Sequence, residues 1–153
     1  MAPNKVIRLD IGSGAASRDG WVSIDNRAHP AVSLPYDLER YPWPLDDGSV
    51  YEAFAGHVVA RVNPARFGFV MFMNEVHRLL APGGELTIVT YYGTNARYQG
   101  DPCACNPVTE VTMYYFDPEH RSNLWLRYQP LPWKIVNLTW SNDSNIEVRL
   151  AKR

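Results

Sequence analysis

The stretch of sequence that decides the fold is residues 5–26, KVIRLDIGSGAASRDGWVSIDN. It opens with an apolar run, residues 6–11, whose β-branched side chains are typical of a strand buried on both faces of a parallel sheet. Gly12 and Gly14 end this run, and a second apolar run follows at residues 21–24. The pattern therefore predicts two strands joined by a glycine-rich turn.

Polar residues in this stretch lie where the predicted strands end. Asp10 falls at the carboxyl end of the first strand and Asp25 at the end of the second, and open α/β sheets bind ligands at that edge. Gly12 and Gly14 allow a ligand to approach the backbone, because no Cβ intervenes. Asp25 could accept hydrogen bonds from both hydroxyls of a ribose. The next glycine, Gly20, is wrongly spaced for a pyrophosphate site, so the stretch indicates a nucleoside site. An ordinary strand-to-loop turn has the same pattern.

Four further parts of the chain resemble, in the same order, the class I S-adenosylmethionine-dependent methyltransferases. The first is residues 35–38, PYDL, similar to the family's third strand, followed by the loop 41–49, YPWPLDDGS, similar to its "LPFPDGSFD" loop. The second is residues 49–62, SVYEAFAGHVVARV, similar to the fourth strand and the segment after it. The third is residues 74–84, NEVHRLLAPGG, similar to "EVHRVLKPGG", and the fourth is residues 85–90, similar to the fifth strand. The resemblance implies an α/β, Rossmann-like methyltransferase fold in one domain, residues 1–153, with a mostly parallel central sheet.

Other elements follow from periodicity and from turn residues. Residues 64–81 have apolar side chains at helical spacing, with Asn63 as N-cap and Pro-Gly-Gly at the end. Residues 131–139 and 146–150 predict an antiparallel C-terminal hairpin around the turn 141–145. Residues 12–20 are too few for a crossover helix, which normally needs about a dozen residues or more. We therefore expect a first crossover helix that is reduced or missing, a shallow cofactor site, and a sheet face that a second copy of the chain could cover.

The resemblance implies S-adenosylmethionine as the cofactor. Asp25 would bind its ribose, and Asp37 with Leu38 would lie at its adenine. The full set of implied cofactor-contacting residues is Asp10, Gly12, Ser13, Gly14, Asp25, Asn26, Asp37, Leu38, Gly56 and His57.

His57 is also the best-placed general base, although a lone histidine could equally be a partly buried residue without a chemical role. After it, Ala60 and Arg61 stand where many relatives have Glu-His. Methyl transfer needs alignment and at most one proton acceptor, so these changes do not exclude it.

The segment after the fifth strand should recognise the acceptor, through Tyr91, Tyr92, Arg97 and Tyr98. Its continuation follows the relatives' "GDPTHVRPFT" but lacks the histidine. The aromatic residues between 114 and 128 could floor an acceptor pocket or could pack the hairpin onto the sheet.

Two functions are consistent with these residues. The first is a methyltransferase that acts on a small-molecule or saccharide acceptor. The second is a degenerate methyltransferase-like binding or regulatory module without activity. A nucleotide-sugar or NAD enzyme is disfavoured, because the phosphate-binding glycine is missing.

Composition narrows the partners and the compartment. A net charge of −1 and a pI near 6.4 make nucleic acid an unlikely partner. No apolar run reaches membrane-spanning length, and the N-terminus lacks a signal peptide's apolar core, so we expect a cytoplasmic protein. The two cysteines, Cys103 and Cys105, form a C-x-C pair. Such a pair could share a metal, but structural zinc sites usually have wider spacing, so we expect free thiols and no metal.

Overall fold

The structure is a computed structural model that describes residues 6–141 and 144–153. Within those residues seven strands form one sheet in the order β3-β2-β1-β4-β5-β7-β6. They are β1 (Ile7–Ile11), β2 (Val22–Asp25), β3 (Leu34–Pro35), β4 (Val50–Gly56), β5 (Leu80–Tyr91), β6 (Trp133–Trp140) and β7 (Asn145–Lys152). Strands β1 to β5 pair in parallel, and β7 is antiparallel to β5 and β6. The predicted mostly parallel sheet with a C-terminal antiparallel hairpin is confirmed.

Helical segments connect the strands. The α-helices are α1 (Gly68–Leu79), α2 (Ala96–Gln99) and α3 (Glu110–Tyr114), and 3-10 turns occupy Val59–Arg61, Ala65–Phe67 and Leu124–Arg127. None of the helices in the described ranges has the length and apolar composition needed to cross a bilayer.

The main helix begins later than its periodicity predicts. Asn63 is not the N-cap of α1: its side chain accepts the N–H of Ala65 at 2.9 Å, just before a 3-10 turn whose N-cap is Pro64. Arg66 and Phe67 then adopt left-handed φ values of 54° and 61°. This break prevents a continuous helix from residue 64, and α1 starts at Gly68, where a Cβ would lie 1.8 Å from the Asn63 carbonyl oxygen.

Three other predicted boundaries also differ. The third strand is limited to Leu34–Pro35, so Asp37 and Leu38 lie in the loop after it. Strand β5 starts at Leu80, before the Pro-Gly-Gly, because Leu80 already pairs with Val50. Two parts of the predicted elements lie outside the described residues: residue 5, before the first strand, and residues 142–143 of the hairpin turn.

One face of the sheet carries the core. Apolar side chains in register form two rows across β1, β4, β5 and β7: Leu9, Ala53, Leu86 and Leu150, and Ile11, Ala55, Ile88 and Val148. All are at most 1% exposed and form one cluster with Phe72, Met73, Val76 and Leu79 of α1. Burying each large side chain is worth about 1.5–3 kcal/mol, so this face supplies most of the stability.

The opposite face is open and charged at β1 and its neighbours. Arg8 pairs with Glu52 at 3.2 Å and Arg149 with Glu85 at 3.5 Å, and all four side chains are more than 40% exposed. The prediction that the first strand is buried on both faces is therefore wrong at Arg8. The cause is the connection between β1 and β2, because the described residues 12–21 form no helix. The prediction of a missing crossover helix is confirmed.

A buried ion pair fixes the loop before β4 to α1. The Glu75 carboxylate is 7% exposed. It accepts the Trp43 backbone N–H at 2.6 Å and pairs with Arg78 at 2.6 Å. Arg78 also donates to the carbonyls of Leu45 and Trp43 at 3.0 and 3.2 Å. The hydrogen bond to Glu75, as the largest cause, and that to Asp47 raise the pKa of Arg78 above its ordinary value.

Replacing Arg78 should therefore destabilise the protein strongly. We expect Arg78→Met to lower the free energy of unfolding by about 3 kcal/mol, because it leaves the Glu75 charge buried without its partner. Arg149→Met is the matched control, since it breaks an exposed ion pair and should cost less than about 1 kcal/mol. Urea unfolding of both variants measures the difference, and equal losses would contradict this role for Glu75 and Arg78.

Candidate functional site

A cleft lies at the carboxyl ends of the parallel strands. Its volume is about 410 Å³, and it lies where β1 and β4 meet, the point at which the strand order reverses. Its lining comes from four segments: Gly12 and Gly14 after β1, Asp25 with Asn26 and Arg27 at the end of β2, Leu38 and Glu39 after β3, and Gly56, His57, Val58, Arg61 and Val62 after β4. The cleft therefore combines a glycine loop, a carboxylate and an apolar wall.

Asp25 organises the glycine side of the cleft. Its two carboxylate oxygens accept the backbone N–H groups of Gly14 and Arg27, each at 2.8 Å. The side chain is only 8% exposed, so these bonds fix its orientation. Because each carboxylate oxygen has more than one lone pair, Asp25 can still accept hydrogen bonds from hydroxyls of a ligand.

Gly12 is required by space and by backbone conformation. Its φ is +69°, and a Cβ would lie 2.9 Å from the Cβ and Cγ2 atoms of Val58. A glycine therefore lets the loop after β1 approach the turn after β4, and the two segments form adjacent parts of one lining.

The apolar wall of the cleft depends on Leu38. Its N–H donates to the Asn26 side chain at 3.0 Å, and its carbonyl accepts the indole N–H of Trp43 at 3.1 Å. Val58 and Val62 are further apolar residues of the lining. Asp37 is placed differently from Leu38: its carboxylate is exposed, accepts the Glu39 N–H at 3.0 Å, and is outside the lining of the cleft.

A second, smaller cavity adjoins the cleft, and we call it the Asp10 cavity. It measures about 160 Å³ and is lined by Asp10, Gly12, Ser13, Ala16, Arg18, Phe54 and Gly56. Gly12 and Gly56 line both spaces. Asp10 is 4% exposed, and burial raises the pKa of its carboxyl group. Asp10 and Ser13 therefore lie beside the cleft and not in it.

His57 lines both the cleft and a small cavity beside the end of β5. Its φ is +56°, its N–H donates to Val89 at 2.7 Å, and its ring lies 4.5 Å from that of Tyr91. Its Nδ1 atom is buried and has no hydrogen-bond partner among residues 6–141 and 144–153. Burial, and secondarily the charge of Arg61, lower the pKa of His57. At neutral pH it is an uncharged imidazole that can accept a proton.

The structure brings together most of the residues predicted to recognise the acceptor. Tyr91 and Tyr98 line a small cavity of about 20 Å³ with His57, and Arg97 donates to the Tyr91 hydroxyl at 3.3 Å. Tyr92 points away, because neighbouring residues at a strand end alternate between faces. Its hydroxyl donates to Glu110 at 2.7 Å.

The loop with the two cysteines packs against the turn after β4. Arg61 pairs with Asp101 at 2.7 Å, and the N–H of Cys105 donates to the Ala60 carbonyl at 2.8 Å. Cys103 and Cys105 are free and exposed. Across the described part of the chain, no three His, Cys, Asp or Glu side chains are grouped so that they could hold a metal ion.

Sequence reasoning missed several lining residues, namely Arg27, Glu39, Val58, Arg61 and Val62. The signal that could have found them is their position, since each follows within a few residues of a predicted strand's carboxyl end or of an assigned site residue. Of the aromatic residues between 114 and 128, Phe116 packs in the core: it is 2% exposed and stacks on Phe69 with ring centroids 5.6 Å apart. Tyr128 is 47% exposed.

No protein-family model and no curated protein matches the chain, but solved structures share its fold. An S-adenosylmethionine-dependent methyltransferase from Archaeoglobus fulgidus matches over 97% of this chain and 87% of its own, with 14% identity and a TM-score of 0.67. The N-methyltransferase NodS from Bradyrhizobium japonicum, solved with S-adenosylhomocysteine, matches over 96% and 79%, with 13% identity and a TM-score of 0.61. The cyclase SpnF matches over 96% and 74%, with 12% identity and a TM-score of 0.60. The fold is that of the class I methyltransferases, and the predicted resemblance is confirmed at this level.

The environment of His57 predicts a pH dependence. A histidine whose pKa is lower in the folded state than its ordinary 6.5 binds fewer protons folded than unfolded, so stability is lost as pH falls through 6.5 towards the folded pKa. His57→Asn should lose less stability over this range than the wild type, because asparagine tolerates the left-handed backbone and does not titrate.

Urea unfolding at several pH values measures this dependence, and an NMR titration measures the pKa directly. His29→Asn is the control, since His29 is exposed, and it should follow the wild type. A His57 pKa at or above 6.5 would contradict the assignment.

Proposed function

We propose that this chain binds S-adenosylmethionine in the cleft and the Asp10 cavity and transfers its methyl group to a small-molecule acceptor beside His57. The observation that carries the proposal is the Asp25 carboxylate, which is buried, holds the glycine loop, and lines a cleft at the point where the strand order reverses. The fold shared with S-adenosylmethionine-dependent methyltransferases supports it.

The residues of the two spaces fit the parts of this cofactor. The Asp25 carboxylate suits two ribose hydroxyls, and the apolar wall formed by Leu38, Val58 and Val62 suits the flat face of a base. Asp10, on the other side of Gly12, suits a positively charged ammonium group. Gly12 keeps the two spaces next to each other, because a side chain there would meet Val58.

When bound, the cofactor supplies a methyl group activated by its positively charged sulfur. The chain's own residues orient the cofactor and the acceptor, exclude water and accept a proton. Asp25 fixes the ribose end, and the rings of His57 and Tyr91, 4.5 Å apart, shield the acceptor side. The uncharged His57 imidazole would take the proton of an acceptor hydroxyl, whereas an amine acceptor needs only correct positioning.

The acceptor side favours a small molecule or a saccharide. Tyr91 and Tyr98 line a cavity with His57, and aromatic rings pack against apolar faces of sugars or other rings. A net charge of −1 gives little attraction for a nucleic acid. We place this activity in the cytoplasm, since Cys103 and Cys105 are free thiols.

A second candidate is a nucleoside-binding or regulatory module that transfers no methyl group. It is favoured by the exposed loop at Cys103, where relatives' histidine is absent. The match to the cyclase SpnF also shows that this fold does not determine one chemistry.

Ligand binding tests the cofactor assignment. In isothermal titration calorimetry, wild-type protein should bind S-adenosylhomocysteine, and Asp25→Asn should bind it roughly 10- to 100-fold more weakly, because each hydrogen bond to a charged group is worth about 1.5–3 kcal/mol. Asp37→Asn is the matched control: its carboxylate lies outside the lining, so affinity should stay within about twofold. No binding to the wild type would overturn the proposal.

Transfer of a labelled methyl group separates the enzyme from the binding module. Wild-type protein incubated with labelled S-adenosylmethionine and a panel of phenols, amines and sugars should label at least one acceptor. For a hydroxyl acceptor, His57→Asn should slow labelling by about 100-fold, the usual size of a general-base contribution. Cofactor binding without transfer to any acceptor would favour the second candidate.

A further inference from the structure

Arg18, in the loop between β1 and β2, has a guanidinium group that lies over two aromatic rings. The group lies 3.6 Å from the centroid of the Phe54 ring and 5.4 Å from that of Trp21. Within residues 6–141 and 144–153 the guanidinium makes no hydrogen bond and no ion pair. Its N–H donors are therefore oriented by stacking and remain available to a ligand.

The neighbouring residues fix this arrangement. The Arg18 backbone N–H donates to the Asp10 carboxylate at 3.3 Å, so the loop is tied to the end of β1. Phe54 pairs in register with Asp10 on the same open face of the sheet. At Gly56 a Cβ would lie 2.8 Å from the Phe54 ring. Glycine at this position therefore leaves room for the ring on which Arg18 stacks.

The acidic residue Asp10 and the basic residue Arg18 therefore line the same cavity. The volume of the cavity, about 160 Å³, is several times the volume of roughly 30 Å³ that one water molecule occupies in the liquid. A negative and a positive group facing one small space are complementary to a zwitterion. Guanidinium groups bind carboxylates through two parallel hydrogen bonds, which an ammonium group cannot do.

The missing crossover helix gives this pair a specific role. A helix N-terminus after a glycine turn offers backbone N–H groups to an anion, but residues 12–21 form no helix. Another donor is needed at this place if the ligand carries a carboxylate there. Arg18 lies on the lining of the same cavity as Gly12 and Ser13 of that turn.

We propose that Arg18 binds the α-carboxylate of the cofactor's amino-acid end while Asp10 faces its α-ammonium group, so that the Asp10 cavity selects nucleosides that carry a free α-amino acid. This inference rests on the proposed function, because it takes the nucleoside to lie in the adjoining cleft. It adds Arg18 as the residue that determines this selectivity.

Calorimetric titration with two ligands tests the inference. S-adenosylhomocysteine and 5′-methylthioadenosine share the nucleoside, but only the first carries the amino-acid end. Wild-type protein should bind S-adenosylhomocysteine at least tenfold more tightly than 5′-methylthioadenosine. Arg18→Gln should weaken S-adenosylhomocysteine binding at least tenfold and leave 5′-methylthioadenosine within twofold. Arg18→Lys should recover part of the loss, since it keeps the charge without the planar donors.

Arg8→Gln is the matched control. Arg8 also lies over aromatic rings on the open face, those of Trp21 and Tyr51, but it does not line the Asp10 cavity, so both affinities should be unchanged. Arg18 is exposed, and thermal unfolding should show that Arg18→Gln remains folded.

The outcomes separate the inference from the proposed function. If the wild type binds neither ligand, the proposed function fails and the inference fails with it. If it binds both equally, the cofactor site stands and the amino-acid selectivity is wrong. If Arg18→Gln weakens both ligands by the same factor, Arg18 acts on the loop as a whole, and its role as the carboxylate ligand is overturned.

Discussion

The constraint on which this structure depends is the short connection between β1 and β2. Residues 12–21 join two parallel neighbours without a helix, so no crossover helix covers the β1–β4 part of one sheet face. The core must then form on the other face, where α1 packs over rows of Leu, Ile, Val and Ala. The open face is stabilised instead by ion pairs such as Arg8–Glu52 and by arginines stacked on aromatic rings. Exposed pairs of this kind contribute little each, and the fold's stability therefore comes from one side.

The same constraint determines how the glycine loop is held. No helix follows the loop to hold its backbone in place. Here two carboxylates at strand ends do so: Asp25 accepts from Gly14 at 2.8 Å and Asp10 accepts from Arg18 at 3.3 Å. Each of these carboxylates also borders a space for a ligand. Under the proposed function, positioning of the loop and recognition of the ligand would depend on the same two side chains.

The sequence alone predicted the parts that depend on local pattern. Apolar runs predicted the strands, and the resemblance predicted their order, because buried parallel strands need continuous apolar residues. The start of α1 could not be predicted, since the periodicity of apolar side chains does not record the left-handed backbone of Arg66 and Phe67. The direction of side chains in irregular segments could not be predicted either: Asp37 turns outward after a two-residue strand. Arg18 was missed because its stacking partner Phe54 is distant in sequence and adjacent only through strand register.

A chain of contacts also links the core to the ligand cleft. Arg78 pairs with the buried Glu75, Glu75 accepts the backbone N–H of Trp43, and the Trp43 indole donates to the Leu38 carbonyl. Leu38 then forms the apolar wall of the cleft. Breaking a buried ion pair in α1 would release the loop that positions this wall, although none of the ion-pair atoms lines the cleft. Because a ligand that binds only the folded state stabilises it by mass action, occupancy of the cleft and integrity of the Glu75–Arg78 pair should support each other.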